Sequence, residues 1–238
     1  EILNGSKLLT IAHEEGVSHN SEILDSLVSK VGDTFILNGK KNFVIDGNIS
    51  DHIIVSAIDE NGSDLLIAVV DSKSKGIKFN NKVHMDSRTY SDITFNNVEI
   101  NKDSFLSTGR DGKSILEKTF DISRIGLAAE MLGSIQEAFD ITMSYLKERE
   151  QFGVKIGSFQ SLQHRSALMF AEIELCKSIV LKALQSIDND EDLSKNASLA
   201  KAKLGMTYKL VSNEAIQMHG GIGVTDDSDI GFFLKRAR

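Results

Sequence analysis

Residues Tyr145–Gln163, YLKEREQFGVKIGSFQSLQ, close one long helical pattern, turn through two glycines and open a second helical pattern. Gly153 and Gly157 permit a tight connection between two helices. Arg149, Gln151, Gln160 and Gln163 crowd polar side chains around it. A solvated helical hairpin needs only the glycines. An arginine beside several glutamines is also a donor set suited to a phosphate or a nucleotide. Both readings stand at this point.

The patterns on either side set the fold class. Upstream, Ile125, Ala128, Leu132, Ile135, Phe139 and Leu146 recur at helical intervals. Downstream, Leu162, Met169, Ile173, Cys176, Val180, Ala183 and Ile187 form a second stripe. Leu193, Ala197, Ala200, Leu204, Tyr208, Val211, Ala215 and Met218 form a third, entered through an acidic turn, Asp188 to Asp192, that suits a helix N-terminus. Three helices of roughly 27 to 35 residues, about 40 to 50 Å long at ~1.5 Å per residue, predict an antiparallel bundle. Three helices leave an apolar seam, and a fourth is expected to begin within Asp226 to Arg238.

No helical period precedes Gly112. Short apolar runs with Gly, Asn, Asp or Ser between them read instead as strands: Leu8 to Ala12, Thr34 to Leu37, Phe43 to Ile45, Ile53 to Ala57, Leu65 to Val70, Ile77 to Val83 and Ile93 to Ile100. Asn38-Gly39 is the clearest hairpin signal, since both residues tolerate positive φ. The class is α+β: an antiparallel β-barrel or sandwich over 1–108, then a long-helix bundle over 109–238, with the boundary in the loop STGRDG.

A net charge of -7 argues against a nucleic-acid partner. No apolar run approaches the ~18 residues that a membrane span needs. The single cysteine, Cys176, lies on a helical stripe, which excludes a disulfide framework and predicts a reducing, cytoplasmic compartment. The histidines show no metal-ligand spacing, so no metal is expected. The start at Glu1 suggests a chain that begins mid-protein.

A second glycine cluster, Gln217-Met218-His219-Gly220-Gly221-Ile222-Gly223, closes the third stripe. It reads as a helix C-cap, or as backbone that a flat or phosphorylated ligand approaches while Gln217 supplies a hydrogen bond. The context of a Rossmann fingerprint is lacking.

Together the two links, R-x-x-F-G, then F-Q-x-x-Q, then Q-x-x-G-G-x-G, resemble the acyl-CoA dehydrogenase family. The resemblance continues through Phe120 to Arg124, Gly32 to Lys41 and Ser91 to Ile100, covers nearly the whole chain, and looks closest to the branch of pimeloyl-CoA dehydrogenase small-subunit-like proteins. It implies a middle β domain and most of a C-terminal four-helix bundle, without the family's N-terminal helical domain. It implies FAD as cofactor, lying between the two domains and shared with a neighbouring subunit in a homo- or hetero-oligomer. An acyl-CoA substrate and an electron-accepting flavoprotein partner follow from the same resemblance.

By that resemblance Arg149, Phe152 and Gln160 meet the adenine-diphosphate half of the flavin, and Gln217, Gly220 and Gly221 meet it across a dimer. Arg124 lies at the acyl-CoA site with Asp121 close by. The family's T-E-x-x-A-G-S-D stretch appears as AHEEGVSH: Ser18 is kept, Ala12 stands for the threonine and His13 for the glutamate. In the K-x-W-I-T element Phe43 stands for tryptophan, Val44 for isoleucine and Ile45 for the threonine whose hydroxyl addresses the flavin. A missing hydroxyl removes a bond of order 1 kcal/mol.

Family chemistry also needs a glutamate that removes the α-proton. One branch places it immediately before the arginine matching Arg124, where Ser123 stands; most place it beyond Arg238. No base is assigned. His13 and His19 are expected in solvent, and Glu14 with Glu15 as a solvated pair. Three functions compete: a dehydrogenase that forms the 2,3-enoyl-CoA, a non-catalytic subunit of a heteromeric dehydrogenase, and a structural module without cofactor.

Overall fold

A computed structural model describes residues 1–18, 24–62, 64–107, 111–189 and 191–238. The described chain forms two compact units, Glu1–Leu116 and Glu117–Arg238. His19 and the centre of the STGRDG loop lie outside the described residues.

The first unit is a sheet of β1 (Leu9–Ala12), β2 (Leu27–Val31), β3 (Thr34–Ile45), β4 (His52–Asp59), β5 (Leu65–Asp71), β6 (Ile77–Val83), β7 (Thr89–Ile100) and β8 (Phe105–Ser107). Its order is β6-β7-β3-β2-β4-β5-β8, with β1 beside β4. Most pairs are antiparallel, but β1 and β2 both run parallel to β4, which departs from an all-antiparallel expectation. One face supplies the core: Ile53, Val55 and Ala57 alternate inward on β4, and Ile93 and Phe95 do so on β7.

Asn38-Gly39 is not a hairpin. β3 runs straight through it, with the register against β7 shifting between Leu37 and Gly39. The glycine is required by sterics, because a Cβ there would lie 2.2 Å from Ser26 Oγ. The turn is six residues earlier, at Gly32-Asp33, where Val31 faces Thr34 and Gly32 takes φ +62°. β2 itself went unread in the sequence because Ser29 and Lys30 break its apolar run. A second register shift falls between Lys41 and Val44, and Phe43 within it adopts φ 54°.

The second unit is built on α1 (Asp111–Glu148), α2 (Gln160–Asn189), α3 (Leu193–His219) and the short α4 (Ile230–Ala237). The two units divide within the first turns of α1, which at 38 residues is longer than its stripe suggested. The stripes pack as expected: Ile125, Ile135 and Leu146 meet Met169, Ile173 and Cys176 and then Ala200, Leu204 and Val211 in one buried cluster. Alanines at 197, 200 and 215 let α3 approach closely. α4 begins on the buried Ile230, and its Arg236 bonds Glu130 of α1 at 2.5 Å. The acidic turn does not cap α3 through a side chain; Asp192 precedes the helix at φ 51° and only its carbonyl accepts, from Asn196. Among the described residues no helix is long and apolar enough to cross a membrane.

Candidate functional site

Between α1 and α2 the chain makes a two-strand hairpin, β9 (Glu150–Gln151) with β10 (Val154–Lys155), where the sequence predicted only a link. Phe152 and Gly153 sit at its tip with φ 56° and 78°. Positive φ at both central residues is the type I′ turn, which matches strand twist. The Phe152 side chain is 92% exposed, an unusual position for a phenyl ring. A 3-10 turn, Ile156–Ser158, then leads into α2. A Cβ on Gly157 would stand 2.8 Å from the Leu146 carbonyl oxygen. Gly157→Ala is therefore expected to cost about 1–3 kcal/mol through backbone displacement, read as a lower denaturation midpoint at unchanged m-value.

Several polar groups of this corner serve the turn itself. Gln163 Nε2 donates to the Gly157 carbonyl at 3.0 Å. Gln151 Nε2 donates to the Glu150 carbonyl. Lys155 pairs with Glu150 at 2.6 Å, and its hydrogen bond and charge hold that carboxyl below its ordinary value. Arg149 and Gln160 differ: both are exposed, and neither side chain bonds to any described residue.

The second glycine cluster lies against the same corner. Tyr145, one helical turn before Arg149, stacks on His219 with centroids 4.4 Å apart and planes 21° apart. Its hydroxyl donates to the His219 carbonyl at 3.3 Å. His219 Nδ1 bonds the Ala215 carbonyl at 2.7 Å, an acceptor that fixes the proton on Nδ1. Gly220 follows as the C-cap of α3 at φ 67°, so the capping reading of this cluster is correct. The cap uses Gln217 through its carbonyl, which accepts the Gly220 N–H, but not through its exposed side chain, whose amide bonds no described residue; a Cβ built on Gly221 would meet nothing within 4 Å. One end of the bundle therefore gathers a free guanidinium, two free amides, open glycine backbone and an exposed ring. That set fits an anionic ligand with an aromatic portion.

Along α1, Arg124 Nη1 donates to Asp121 Oδ1 at 2.6 Å. Asp121 is buried, so its role here is to hold the arginine. Ser123 donates to the Thr119 carbonyl at 2.7 Å and offers no carboxylate.

In the first unit Ser18, Phe43 and Ile45 are all exposed. The Phe43 ring lies 5.7 Å from Tyr90, and its N–H faces Asp92 Oδ1 at 3.5 Å. A hydrogen bond from Lys82 holds the Asp92 carboxyl low despite its burial. The Ile45 carbonyl accepts from Thr10 Oγ1 at 2.6 Å.

The residues around position 13 depart most from expectation. His13 is buried, with Nδ1 2.7 Å from Ser56 Oγ. Glu15 is not solvated: it pairs at 2.5 Å with Lys41, the side chains being 6% and 0% exposed. Burial raises the Glu15 carboxyl, but the Lys41 hydrogen bond and charge, together with hydrogen bonds from Asp25 and Ser26, outweigh it and leave the carboxyl lowered. Burial also pushes the Lys41 ammonium down against the pull of Glu15. The sequence held a signal for the pair, since Leu37 and Lys41 share the inward phase of β3 and an inward lysine requires a carboxylate. Among the described residues no cluster suits a metal ion.

Residues 110–238 match the family model described as acyl-CoA dehydrogenase, C-terminal domain. The 3-(aryl)acrylate reductase of Clostridium sporogenes is 34% identical over 244 residues, covering 100% of this chain and 65% of that protein. The caffeyl-CoA reductase-Etf complex subunit CarC of Acetobacterium woodii is 31% identical, covering 93% of this chain and 60% of its own length. Among solved structures, butyryl-CoA dehydrogenase from Megasphaera elsdenii superimposes with a TM-score of 0.93 at 25% identity, over 99% of this chain and 64% of that one. A structure described as an FAD-dependent dehydrogenase gives a TM-score of 0.90 at 26% identity, over 97% and 64%. The chain thus spans less than two thirds of the length of these relatives. It belongs to the acyl-CoA dehydrogenase family.

Proposed function

We propose that the chain is the FAD-holding part of an oxidoreductase that exchanges two electrons across the α,β carbon–carbon bond of an acyl-CoA thioester. The observation that carries this reading is the Tyr145–His219 contact, which brings the segment of the unbonded Arg149 and Gln160 side chains to the end of α3 that carries Gln217, Gly220 and Gly221. Arg149 neutralises the cofactor's diphosphate, the two amides and the glycine backbone hold its nucleotide end, and Phe152 covers the adenine. Ser18, Phe43 and Ile45 are assigned to the flavin ring. With Ile45 in place of a hydroxyl, the ring gains an apolar wall and loses one hydrogen bond at that position. Bound flavin supplies hydride acceptance or donation at the β-carbon. Arg124, steadied by Asp121, is assigned to the acyl-CoA. Ser123 excludes a base at the position before Arg124, so the α-proton is handled by a group other than 123.

In the dehydrogenase direction the product is the 2,3-enoyl-CoA. The reverse direction, reduction of an unsaturated substrate, is supported by the names of the two reductases at 34% and 31% identity. The name of the second, a subunit of an Etf complex, supports an electron-transferring flavoprotein as partner. The expected pimeloyl-type branch gains no support from either name. A non-catalytic subunit of a hetero-oligomer is the alternative that Ser123 favours.

The chain has no tryptophan, so Phe43→Trp creates a single emitter at the assigned flavin edge. FAD reconstitution is expected to leave visible flavin absorbance with the protein after gel filtration and to quench that emission strongly. Absence of retained flavin sinks the cofactor reading; retained flavin with unaltered tryptophan emission removes Phe43 from the site.

A further inference from the structure

The segment leading from β1 to Ser18 is fastened to β3 by a buried cluster that the proposed chemistry does not use. Lys41 Nζ donates to Glu15 Oε1 at 2.5 Å and to the His13 carbonyl at 3.2 Å, and lies 3.5 Å from Ser56 Oγ. The next residue, Asn42, donates its N–H to the Glu14 carbonyl at 2.6 Å and its amide to the carbonyls of Glu15 and Gly16 at 2.5 and 3.3 Å. Each residue from His13 to Gly16 is thus held by one of two adjacent side chains or backbones of β3. The Glu15 carboxylate also accepts the N–H groups of Asp25 and Ser26, which brings the far side of the loop to the same point. Phe43 follows immediately on the strand that makes these bonds.

We propose that Lys41 and Glu15 are positioning residues that set Ser18 and Phe43 for the flavin, and that the Lys41 cluster takes its single carboxylate from position 13 or position 15 interchangeably. The first half rests on the proposed FAD function; the second rests on the cluster alone. A buried ammonium requires one counter-charge, and a second carboxylate beside the first is repelled. Position 13 is within reach, because its ring nitrogen bonds the same Ser56 hydroxyl that Lys41 approaches. A glutamate placed at 13 therefore acts with opposite sign in two backgrounds. Beside Glu15 it adds repulsion, and beside glutamine it restores the missing charge.

The test compares H13E, E15Q and H13E/E15Q in the 238-residue chain, by thermal melting of the apoprotein and by FAD titration. Each single variant is expected to lower the melting midpoint by roughly 10 °C, and the double variant to melt above both. Failure of E15Q to fold while H13E/E15Q folds is the same result in stronger form. FAD is expected to bind E15Q about tenfold more weakly than wild type, with recovery in the double variant. A double variant melting no higher than E15Q overturns the interchange. An FAD affinity of folded E15Q equal to that of wild type overturns the positioning role. If wild type itself retains no FAD, the functional reading and the positioning half fall together, and the melting order still decides the interchange.

Discussion

Lys41→Met lowers the melting temperature by roughly 10 °C or more, the largest expected effect of a single substitution in the β unit. Methionine matches the lysine stem in length, so packing against Ser56 and the strand is largely kept. What it removes is the partner of a carboxylate whose side chain is 6% exposed. Removing one member of a buried pair costs about 3–5 kcal/mol, because the other is left charged without compensation. In a domain of this size each kcal/mol shifts the midpoint by about 2–4 °C. K41M/E15Q is expected to recover much of the loss, since glutamine still accepts from the Asp25 and Ser26 N–H groups and carries no charge. A double variant no more stable than K41M would show that the lysine stem, and not the stranded carboxylate, sets the cost.

The same pair fixes the sign of the acid dependence. The folded-state pKa of Glu15 is lowered from its model-compound value of 4.5, so the unfolded chain takes up a proton first as pH falls. The stability it contributes is complete above the unfolded value and is lost as pH drops through the folded one. Lys41, also lowered, loses its proton earlier in the folded state, so stability again rises with pH on the alkaline side. E15Q therefore flattens the acid limb of a stability–pH curve and, by removing the pull that holds the Lys41 ammonium up, extends the alkaline limb toward lower pH.

Arg149→Ala weakens FAD binding by about 10- to 100-fold while leaving apoprotein stability within about 0.5 kcal/mol. The two halves of this expectation follow from one observation: the guanidinium is exposed and bonds no described residue, so nothing in the folded chain depends on it. A charge-assisted hydrogen bond to a phosphate oxygen is worth about 1.5–3 kcal/mol, which converts to that range of dissociation constant. Arg149→Lys recovers only part, because an ammonium keeps the charge and loses the planar two-point contact. Rising salt narrows the gap between wild type and R149A, since the cation is exposed. An FAD affinity unchanged in R149A would remove the diphosphate from this corner.

The helical unit was legible because its stripes are long. Over α2 and α3 the apolar residues return every three or four positions for many turns, and no strand pattern competes. The sheet was less so. Asn38-Gly39 carries hairpin chemistry, yet the approach of Ser26, a tertiary contact, is what demands the glycine. The parallel pairing of β1 and β2 with β4 is set by strand order, which a local pattern does not encode. At the site, residue type and spacing marked Arg149, Gln151, Gln160 and Gln163 and the 217–223 cluster as candidates, and the family resemblance narrowed them to the proposed Arg149, Gln160, Gln217, Gly220 and Gly221. The contact that gathers them, Tyr145 on His219, joins residues 74 positions apart and leaves no local trace. Glu15 and His13 were misread for the opposite reason: a polar run beside glycine looks like a solvated loop until Lys41 is seen to be buried beneath it.

The stacked Tyr145 and His219 rings also constrain how the chain can vary in length. α2 departs from the hairpin beside Tyr145, and α3 returns to His219, so the two helices form a circuit fastened at its start and finish. A residue added to α2 moves its far end by ~1.5 Å and rotates it by about 100°. The ring stack survives only if α3 grows by the same rise and turn, or if the addition is absorbed in the connection after Asn189. Length changes along this circuit are thus expected in matched pairs, one in each arm, and unmatched ones at the bend between them.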